Sequence, residues 1–185
     1  MKSLAAFAVN PVGLRFETQQ DDEVVLLFLR QHVIVNVPWI FLVLVLLVAP
    51  FIFFPMVTSG LAKIVSLPVG YYIVGTFAWY LVTLGFAIAG FLRWFFNIYI
   101  VTNERIVDID FVHLLYKQFS EARLINIQDI TYKTGGIVET MFNIGNVFIQ
   151  TASETPNFEF ELVPNPEQIV KIISEASEEA KKRGV

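Results

Sequence analysis

Few residues in this chain have the types and spacing that enzyme or metal chemistry needs. Its 185 residues include no cysteine and two histidines, His32 and His113, which excludes thiol nucleophiles and cysteine-bound zinc. Neither histidine has a second one at the spacing of a metal site, so we predict a structural role for each. The sequence therefore predicts no enzyme, no catalytic residue, no metal site and no cofactor.

Two further patterns could be taken for ligand sites. Asp108 and Asp110 share one face of a predicted strand and could hold a cation, but no third ligand is evident. The pair Gly135-Gly136 lacks the lysine and the strand-to-helix setting of a phosphate loop. We predict a solvated strand face for the first pattern and a bulge or turn for the second.

Four basic residues in the second half of the chain could form a pocket for an anionic lipid headgroup: Arg105, Lys117, Arg123 and Lys133. The charge of this region weakens the idea, since residues 93–185 contain nine basic and thirteen acidic residues. Each basic residue near an anionic surface contributes only about 1 kcal/mol. Headgroup binding is therefore the alternative function. Nucleic acid is not an expected partner, because no basic stripe is present.

The apolar residues are concentrated in one part of the chain. Hydrophobic residues make up 55% of the sequence and charged residues 16%, whereas a typical soluble domain has about 25% charged residues. Between His32 and Arg93 the single charge is Lys63. A bilayer core of about 30 Å needs about 20 helical residues. We therefore predict two transmembrane helices, at about 35–57 and at about 67–92.

The short polar link around Lys63 predicts that the two helices form a hairpin. A charge in the middle of a spanning helix costs roughly 2.5–3.5 kcal/mol, which a position in a wet loop avoids. Gly85 and Ala89 have the small-xxx-small spacing that suits close helix packing. The positive-inside rule places both termini in the cytoplasm, since four arginines flank the outer ends of the hairpin: Arg15, Arg30, Arg93 and Arg105.

These patterns divide the chain into three parts. Residues 1–32 form an N-terminal cytoplasmic or interfacial segment, 33–93 the transmembrane hairpin, and 94–185 a cytoplasmic domain of a multi-pass protein in the cell (cytoplasmic) membrane. In the first part, acidic residues precede the apolar run 24–29, which favours a short interfacial helix. A β-strand is the competing interpretation of this run.

Residues 94–164 contain short alternating segments that predict six or seven strands. Segments 97–102 and 105–111 indicate a hairpin. Segment 157–163 alternates with Phe158, Phe160 and Leu162 facing inward. An amphipathic helix follows, with Asn165 as the predicted N-cap and Gln168 at the capping-box position. Its apolar stripe predicts that this C-terminal α-helix caps a small β-sandwich or barrel.

Several segments, taken in order, resemble bacterial membrane proteins that carry a pleckstrin-homology-like domain (the bPH2, or YdbS/YdbT-like, group). An acidic residue, an apolar run and an Arg-x-His precede two membrane helices in 23–32 (EVVLLFLRQH). Four later segments are similar to its aromatic strand with a Thr-Asn-x-Arg hairpin, its central strand, its Phe-Gly-x-Gly turn and the end of its last strand: 94–106, 127–130, 142–147 and 163–166. Asn143 and Asn146 depart from the glycine pattern of the turn.

The resemblance implies a fold and leaves the activity open. It implies two strongly bent antiparallel sheets closed by a C-terminal helix, with no reaction or ligand established for the group in general. A small β-domain held at the bilayer has a raised effective concentration for membrane partners. We therefore predict a membrane-anchored adaptor or assembly module, whose partners are the bilayer and an unidentified membrane protein or a second copy of the chain.

Overall fold

The computed structural model describes residues 6–11, 13–16, 18–61, 68–113, 116–152 and 158–184, and of residues 54, 57–61, 111–113 and 116–118 only the backbone. The predicted loop position of Lys63 lies outside the described residues. The chain divides into two compact units, residues 36–92 and residues 1–35 with 93–185. We call the first the helical unit and the second the β-domain.

The described elements comprise four α-helices and eight strands. The helices are α1 (Val37–Leu61), α2 (Val69–Phe96), α3 (Ile137–Phe142) and α4 (Pro166–Arg183). The strands are β1 (Phe7–Val9), β2 (Val25–Arg30), β3 (Ile98–Thr102), β4 (Arg105–His113), β5 (Tyr116–Arg123), β6 (Ile127–Lys133), β7 (Ile144–Thr151) and β8 (Phe158–Pro164).

Both predicted long apolar helices are present. Among the described residues, two stretches could cross a membrane by length and composition, Val33–Phe53 and Val69–Phe96, of which 11% and 6% are buried. Their large side chains point outward, with Phe51 74% and Phe77 71% exposed. A core helix of a soluble protein buries its apolar face, so these two surfaces indicate membrane association.

Within the helical unit, α2 supplies a hydrogen bond that α1 lacks. Pro50 has no N–H and cannot bond the carbonyl four residues earlier, that of Leu46. Trp79 Nε1 donates to this oxygen at 2.9 Å, and Tyr80 donates to the next carbonyl, of Leu47, at 3.3 Å. Because lipid offers no replacement for a lost backbone hydrogen bond, this pairing stabilises a proline inside an apolar helix.

The close approach of α1 and α2 occurs at a different glycine from the predicted one. A Cβ added to Gly90 would lie 3.0 Å from the Trp39 ring, whereas one added to Gly85 would meet no atom within 4 Å. The aromatic side chain therefore fills the space that a small residue leaves on the other helix. The predicted close packing through Gly85 was therefore wrong, since the spacing of small residues does not identify which one faces the partner.

The β-domain contains two antiparallel sheets. One has the order β1-β2-β3-β4-β5 and the other the order β6-β7-β8. Strand β2 pairs with β3, with Leu27 opposite Val101. The predicted interfacial helix at 24–29 was therefore wrong and the competing strand interpretation is correct: Leu27 and Leu29 are fully buried in the sheet, a burial that an interfacial helix would not provide.

The core lies between the two sheets and helix α4. Tyr99 of β3 stacks on Phe160 of β8 with ring centroids 4.5 Å apart. The predicted apolar stripe of α4 packs into this core, with Ile169 and Ile173 fully buried. The described elements thus form antiparallel sheets with a C-terminal helix, in the order that the resemblance implies.

Two details at the end of β8 differ from the prediction. Phe158 and Phe160 are buried as expected, but Leu162 adopts a positive φ of 45° at a bulge and is only partly buried. Its N–H donates to Asn146 Oδ1 at 2.9 Å. Asn165 makes no side-chain cap to α4, because its Oδ1 accepts from Asn143 Nδ2 at 2.7 Å instead.

Candidate functional site

The structure separates the four basic positions predicted for a headgroup. Arg105 and Arg123 face each other across β4 and β5. Lys117 lies six residues before Arg123 on β5, about 20 Å along an extended strand, and its side chain lies outside the described residues. Lys133 ends β6 in the other sheet, with its ammonium 5.0 Å from the Phe148 ring centroid. Lys117 and Arg123 are thus far apart along β5, and Lys133 belongs to the other sheet.

Arg105 is held in a buried ion pair. Its Nε lies 2.9 Å from Glu23 Oε1, and its Nη2 donates to Glu23 Oε2 at 3.0 Å. The Glu23 side chain is fully buried, that of Arg105 is 12% exposed, and Nη1 reaches Glu121 at 2.6 Å. A guanidinium already bonded to two carboxylates has little capacity for a headgroup.

The charge on Glu23 is stabilised by its neighbours. Burial raises the pKa of this carboxyl, but hydrogen bonds from Arg105, the Gln20 N–H and the Thr102 hydroxyl outweigh it and bring the pKa below its ordinary value. The Glu23 hydrogen bonds in turn raise the pKa of Arg105. Charge-assisted bidentate bonds of this kind are strong and directional. The network joins the N-terminal segment to the β3–β4 turn.

Arg30 occupies a second buried cationic position, surrounded by aromatic rings. Its guanidinium carbon lies 4.6 Å from the Phe95 centroid, 5.6 Å from Trp94 and 5.7 Å from Phe28. The residue is 3% exposed, and burial lowers its pKa. Trp94 Nε1 also donates to the Gln31 carbonyl at 2.9 Å. These contacts hold together the two places where the chain passes between the β-domain and the helical unit.

His32 makes contacts of a structural kind. The backbone N–H of His32 donates to the Leu162 carbonyl at 2.9 Å, and the imidazole Nδ1 accepts from the Ile34 N–H at 3.2 Å. Its ring lies 6.1 Å from the Phe142 ring of α3. Burial lowers the pKa of His32, which favours the neutral form. The side chain of His113, the other histidine, lies outside the described residues.

Three carboxylates gather at one place on the β-domain. Asp108 and Asp110 come from β4, and Glu161 comes from β8 in the other sheet. Asp108 is 9% exposed, and its Oδ1 has no hydrogen-bond partner among the described residues. Burial, with the charges of Asp110 and Glu161, raises the pKa of Asp108 to about 7. We call these three side chains the acidic cluster.

The neighbours of the acidic cluster supply little compensation. Gln31 Nε2 donates to Glu161 Oε2 at 3.0 Å, but no ion pair within the described residues includes any of the three carboxylates. Burial raises the pKa of both Asp110 and Glu161. No described group of three acidic, histidine or cysteine side chains is arranged to hold a metal ion. The cluster instead provides a negative surface that a cationic group would neutralise.

Sequence reasoning identified two members of the acidic cluster and missed the third. The predicted solvated strand face was wrong for Asp108, which is buried in the structure. Glu161 also belongs to an alternating pattern, as it follows Phe160 on β8. The alternation shows that Glu161 faces away from the core, but it does not reveal which strand of the other sheet lies beside it.

No protein-family model and no curated protein matches this chain. A solved structure that is similar to it is a DUF1696 family protein with a pleckstrin-homology domain from Shewanella loihica PV-4. The two chains share 16% sequence identity, with a TM-score of 0.37, and the match covers 44% of this chain and 70% of the other.

Proposed function

We propose that this protein is a non-enzymatic adaptor or assembly protein, anchored in the cytoplasmic membrane by α1 and α2. In this proposal both termini and the β-domain, as a pleckstrin-homology-like module, lie on the cytoplasmic side. The exposed apolar surfaces of both helices support the anchor. The β-domain then meets partners confined to the same membrane, at a raised effective concentration.

The acidic cluster is the observation that carries the binding part of the proposal. Asp108 has an unpartnered, buried carboxylate oxygen, and Asp110 and Glu161 stand close enough to raise its pKa. An arginine or lysine side chain brought to Asp110 and Glu161, the more accessible members of the cluster, would relieve the repulsion among the three carboxylates. The favoured partner is therefore a protein that presents a basic segment.

Membrane proteins are a natural source of such segments. Their short cytoplasmic loops carry an excess of lysine and arginine, and residues 93–185 of this chain contain more acidic than basic residues. Opposite potentials steer association and suppress wrong partners. Anionic lipid would be repelled by the same charge, and Arg105 is bonded to Glu23 and Glu121, so headgroup binding by the four predicted residues is the less favoured function.

A direct test uses the full-length protein in phosphatidylcholine nanodiscs and a fluorescent lysine-rich peptide. We expect salt-sensitive binding that is lost in the double variant Asp110→Asn/Glu161→Gln. The control variant Glu175→Gln/Glu178→Gln removes two exposed carboxylates from α4 and should bind like the parent. Equal binding by all three proteins would contradict a role for the acidic cluster.

A second test addresses the partner in its own membrane. A photoreactive amino acid at Asp110 should capture a membrane protein, and the captured peptide should come from a basic cytoplasmic segment. The same amino acid at Glu175 provides the control position. Capture that is equal at the two positions would remove the support for a specific adaptor site.

A further inference from the structure

Helix α3 has the reverse of the arrangement expected for a helix on a soluble domain. Its polar side chains bond to its own loop: Glu139 Oε2 accepts from the Gly135 N–H at 2.6 Å, and Thr140 Oγ1 donates to the Gly136 carbonyl at 2.9 Å. Its apolar residues are exposed, with Ile137 87%, Val138 54% and Met141 73% accessible. The polar side chains thus bond within the domain, whereas Ile137, Val138 and Met141 are left exposed.

The apolar residues of α3 form one continuous face. Positions 137, 138, 141 and 142 fall within an arc of roughly 140° at about 100° per residue. Glu139 and Thr140 occupy the other side. A helix with one apolar face and one polar face is the type that lies in the interfacial plane of a bilayer.

Contacts within the β-domain place α3 beside the points where the chain leaves and re-enters it. The Phe142 ring lies 6.1 Å from the His32 ring, and His32 immediately precedes the apolar stretch that begins at Val33. The returning chain is fixed to the same place, because Trp94 donates to the Gln31 carbonyl. Val33 and Phe96 are themselves exposed apolar residues there.

From these contacts we infer that α3 lies in the headgroup region of the bilayer with Ile137, Val138 and Met141 inserted among the acyl chains. The inference rests on the membrane anchor of the proposed function. An anchor that begins next to His32 keeps α3 near the lipid surface, and the bilayer is the apolar medium available there. Inserting α3 removes its exposed apolar side chains from water. It also adds a contact with the bilayer to the two chain connections that already join the β-domain to the helical unit.

The chain has no cysteine, so single cysteines can report depth in the bilayer. Full-length variants Ile137→Cys and Met141→Cys are labelled with an environment-sensitive fluorophore and reconstituted into phosphatidylcholine vesicles with brominated acyl chains. We expect quenching at both positions, strongest with bromine near the headgroup end of the chain. Phe51→Cys in α1 should be quenched by deeper bromines, and Glu178→Cys on the exposed side of α4 should not be quenched.

The control positions separate the two levels of the proposal. If Phe51→Cys is quenched while positions 137 and 141 behave like position 178, the inference about α3 is overturned and the anchor stands. If Phe51→Cys is not quenched either, the anchor itself fails. A signal at position 141 that depends on protein density and not on bromine would make a second copy the occupant of this face, which also overturns the inference.

A charge variant checks that the apolar face causes the insertion. Ile137→Glu should reduce quenching of a label at position 141 to the level found at position 178. Ile137 is 87% exposed, so this change removes almost no packing within the domain. Unchanged quenching at position 141 would count against insertion through this face.

Discussion

Glu23 and Arg105 lie 82 residues apart in the chain and form a bidentate ion pair whose carboxylate is fully buried. The pair is completed by Thr102, which donates to the same carboxylate at 2.8 Å. The acidic residue before β2 and the Thr-Asn-x-Arg turn after β3 are two separate segments of the sequence resemblance. In the structure they are partners, which ties the segment before the helical unit to the segment after it.

Removing one partner of this pair should destabilise the β-domain. Glu23→Gln leaves the Arg105 guanidinium with an incomplete set of buried partners, and such losses typically cost about 3–5 kcal/mol. Thermal unfolding in detergent provides the measurement. The matched control is Glu179→Gln, in an ion pair with Arg183 that is largely exposed and whose loss should cost less than about 0.5 kcal/mol. Similar unfolding temperatures for both variants would refute the structural role of the pair.

The acidic cluster should make stability depend on pH near neutrality. The pKa of Asp108 in the folded protein is raised from 3.8 to about 7. Between these values the folded state holds a proton that the unfolded state has lost, so stability falls as pH rises through this window, by at most about 1.4 kcal/mol per pH unit. Asp108→Asn has no proton to lose and should flatten this slope.

The Asp108 prediction is checked by denaturant unfolding of the parent and the variant from pH 5 to pH 8, run as a series. Asp108→Asn should be more stable than the parent at the upper end, with a difference that shrinks as pH falls. Glu175→Gln, at an exposed position on α4, should follow the parent at every pH. A parent stability that rises between pH 5 and pH 7 would contradict the assigned direction.

Gly145 is required by a close approach of two backbones. A Cβ at this position would lie 2.6 Å from the Lys133 carbonyl oxygen and 2.7 Å from Thr134 Oγ1. Gly145→Ala must therefore move the end of β6 away from β7, at a cost of about 1–3 kcal/mol. Gly135→Ala is the control from the same connection, because its nearest neighbour would be 4.0 Å away. Equal unfolding free energies of the two variants would show that the strands can separate without cost.

Local sequence patterns predicted the elements that depend on neighbouring residues. The β3–β4 hairpin, the apolar helices and the buried stripe of α4 each follow from periodicity over a short window. Strand β2 was not distinguished from a helix, because it is a strand only through its pairing with β3. The whole helical unit separates these two strands in sequence. Its run 24–29 is apolar throughout and has no alternation to show a buried face.

The features missed in the candidate site are a short helix and contacts between strands, neither of which a local sequence pattern shows. Helix α3 has six residues and begins after Gly136 at φ 100°, without a side-chain cap that a sequence pattern could reveal. Glu161 joins Asp108 only because β8 packs against β3, the strand that pairs with β4. Leu162 was expected to face inward, but the bulge at β8 interrupts the alternation. The errors at Glu161 and Leu162 reflect contacts between strands that are far apart in sequence.

Trp79 should stabilise the helical unit through the carbonyl that Pro50 leaves unbonded. Trp79→Phe removes the donor to Leu46 and should cost about 1 kcal/mol, as interhelical hydrogen bonds in membrane proteins do. In a Pro50→Ala background the restored N–H can bond Leu46 itself, so the same Trp79→Phe change should cost much less. Detergent-induced unfolding of the parent, the two single variants and the double variant gives the coupling free energy between Trp79 and Pro50. Equal costs in both backgrounds would show that Trp79 acts through packing alone.

The orientation of the hairpin can be tested with the same cysteine-free chain. Ser59 lies near the end of α1, and Glu178 lies on the exposed side of α4. Ser177 is unsuitable for labelling because it is buried and its hydroxyl donates to the Leu124 carbonyl at 3.0 Å. In the proposed topology α1 carries Ser59 across the bilayer and the β-domain stays in the cytoplasm, so a membrane-impermeant maleimide should modify Ser59→Cys in intact cells and Glu178→Cys only after permeabilisation. Modification of both positions in intact cells would exclude the hairpin arrangement, and the reversed pattern would exclude the cytoplasmic location of the β-domain.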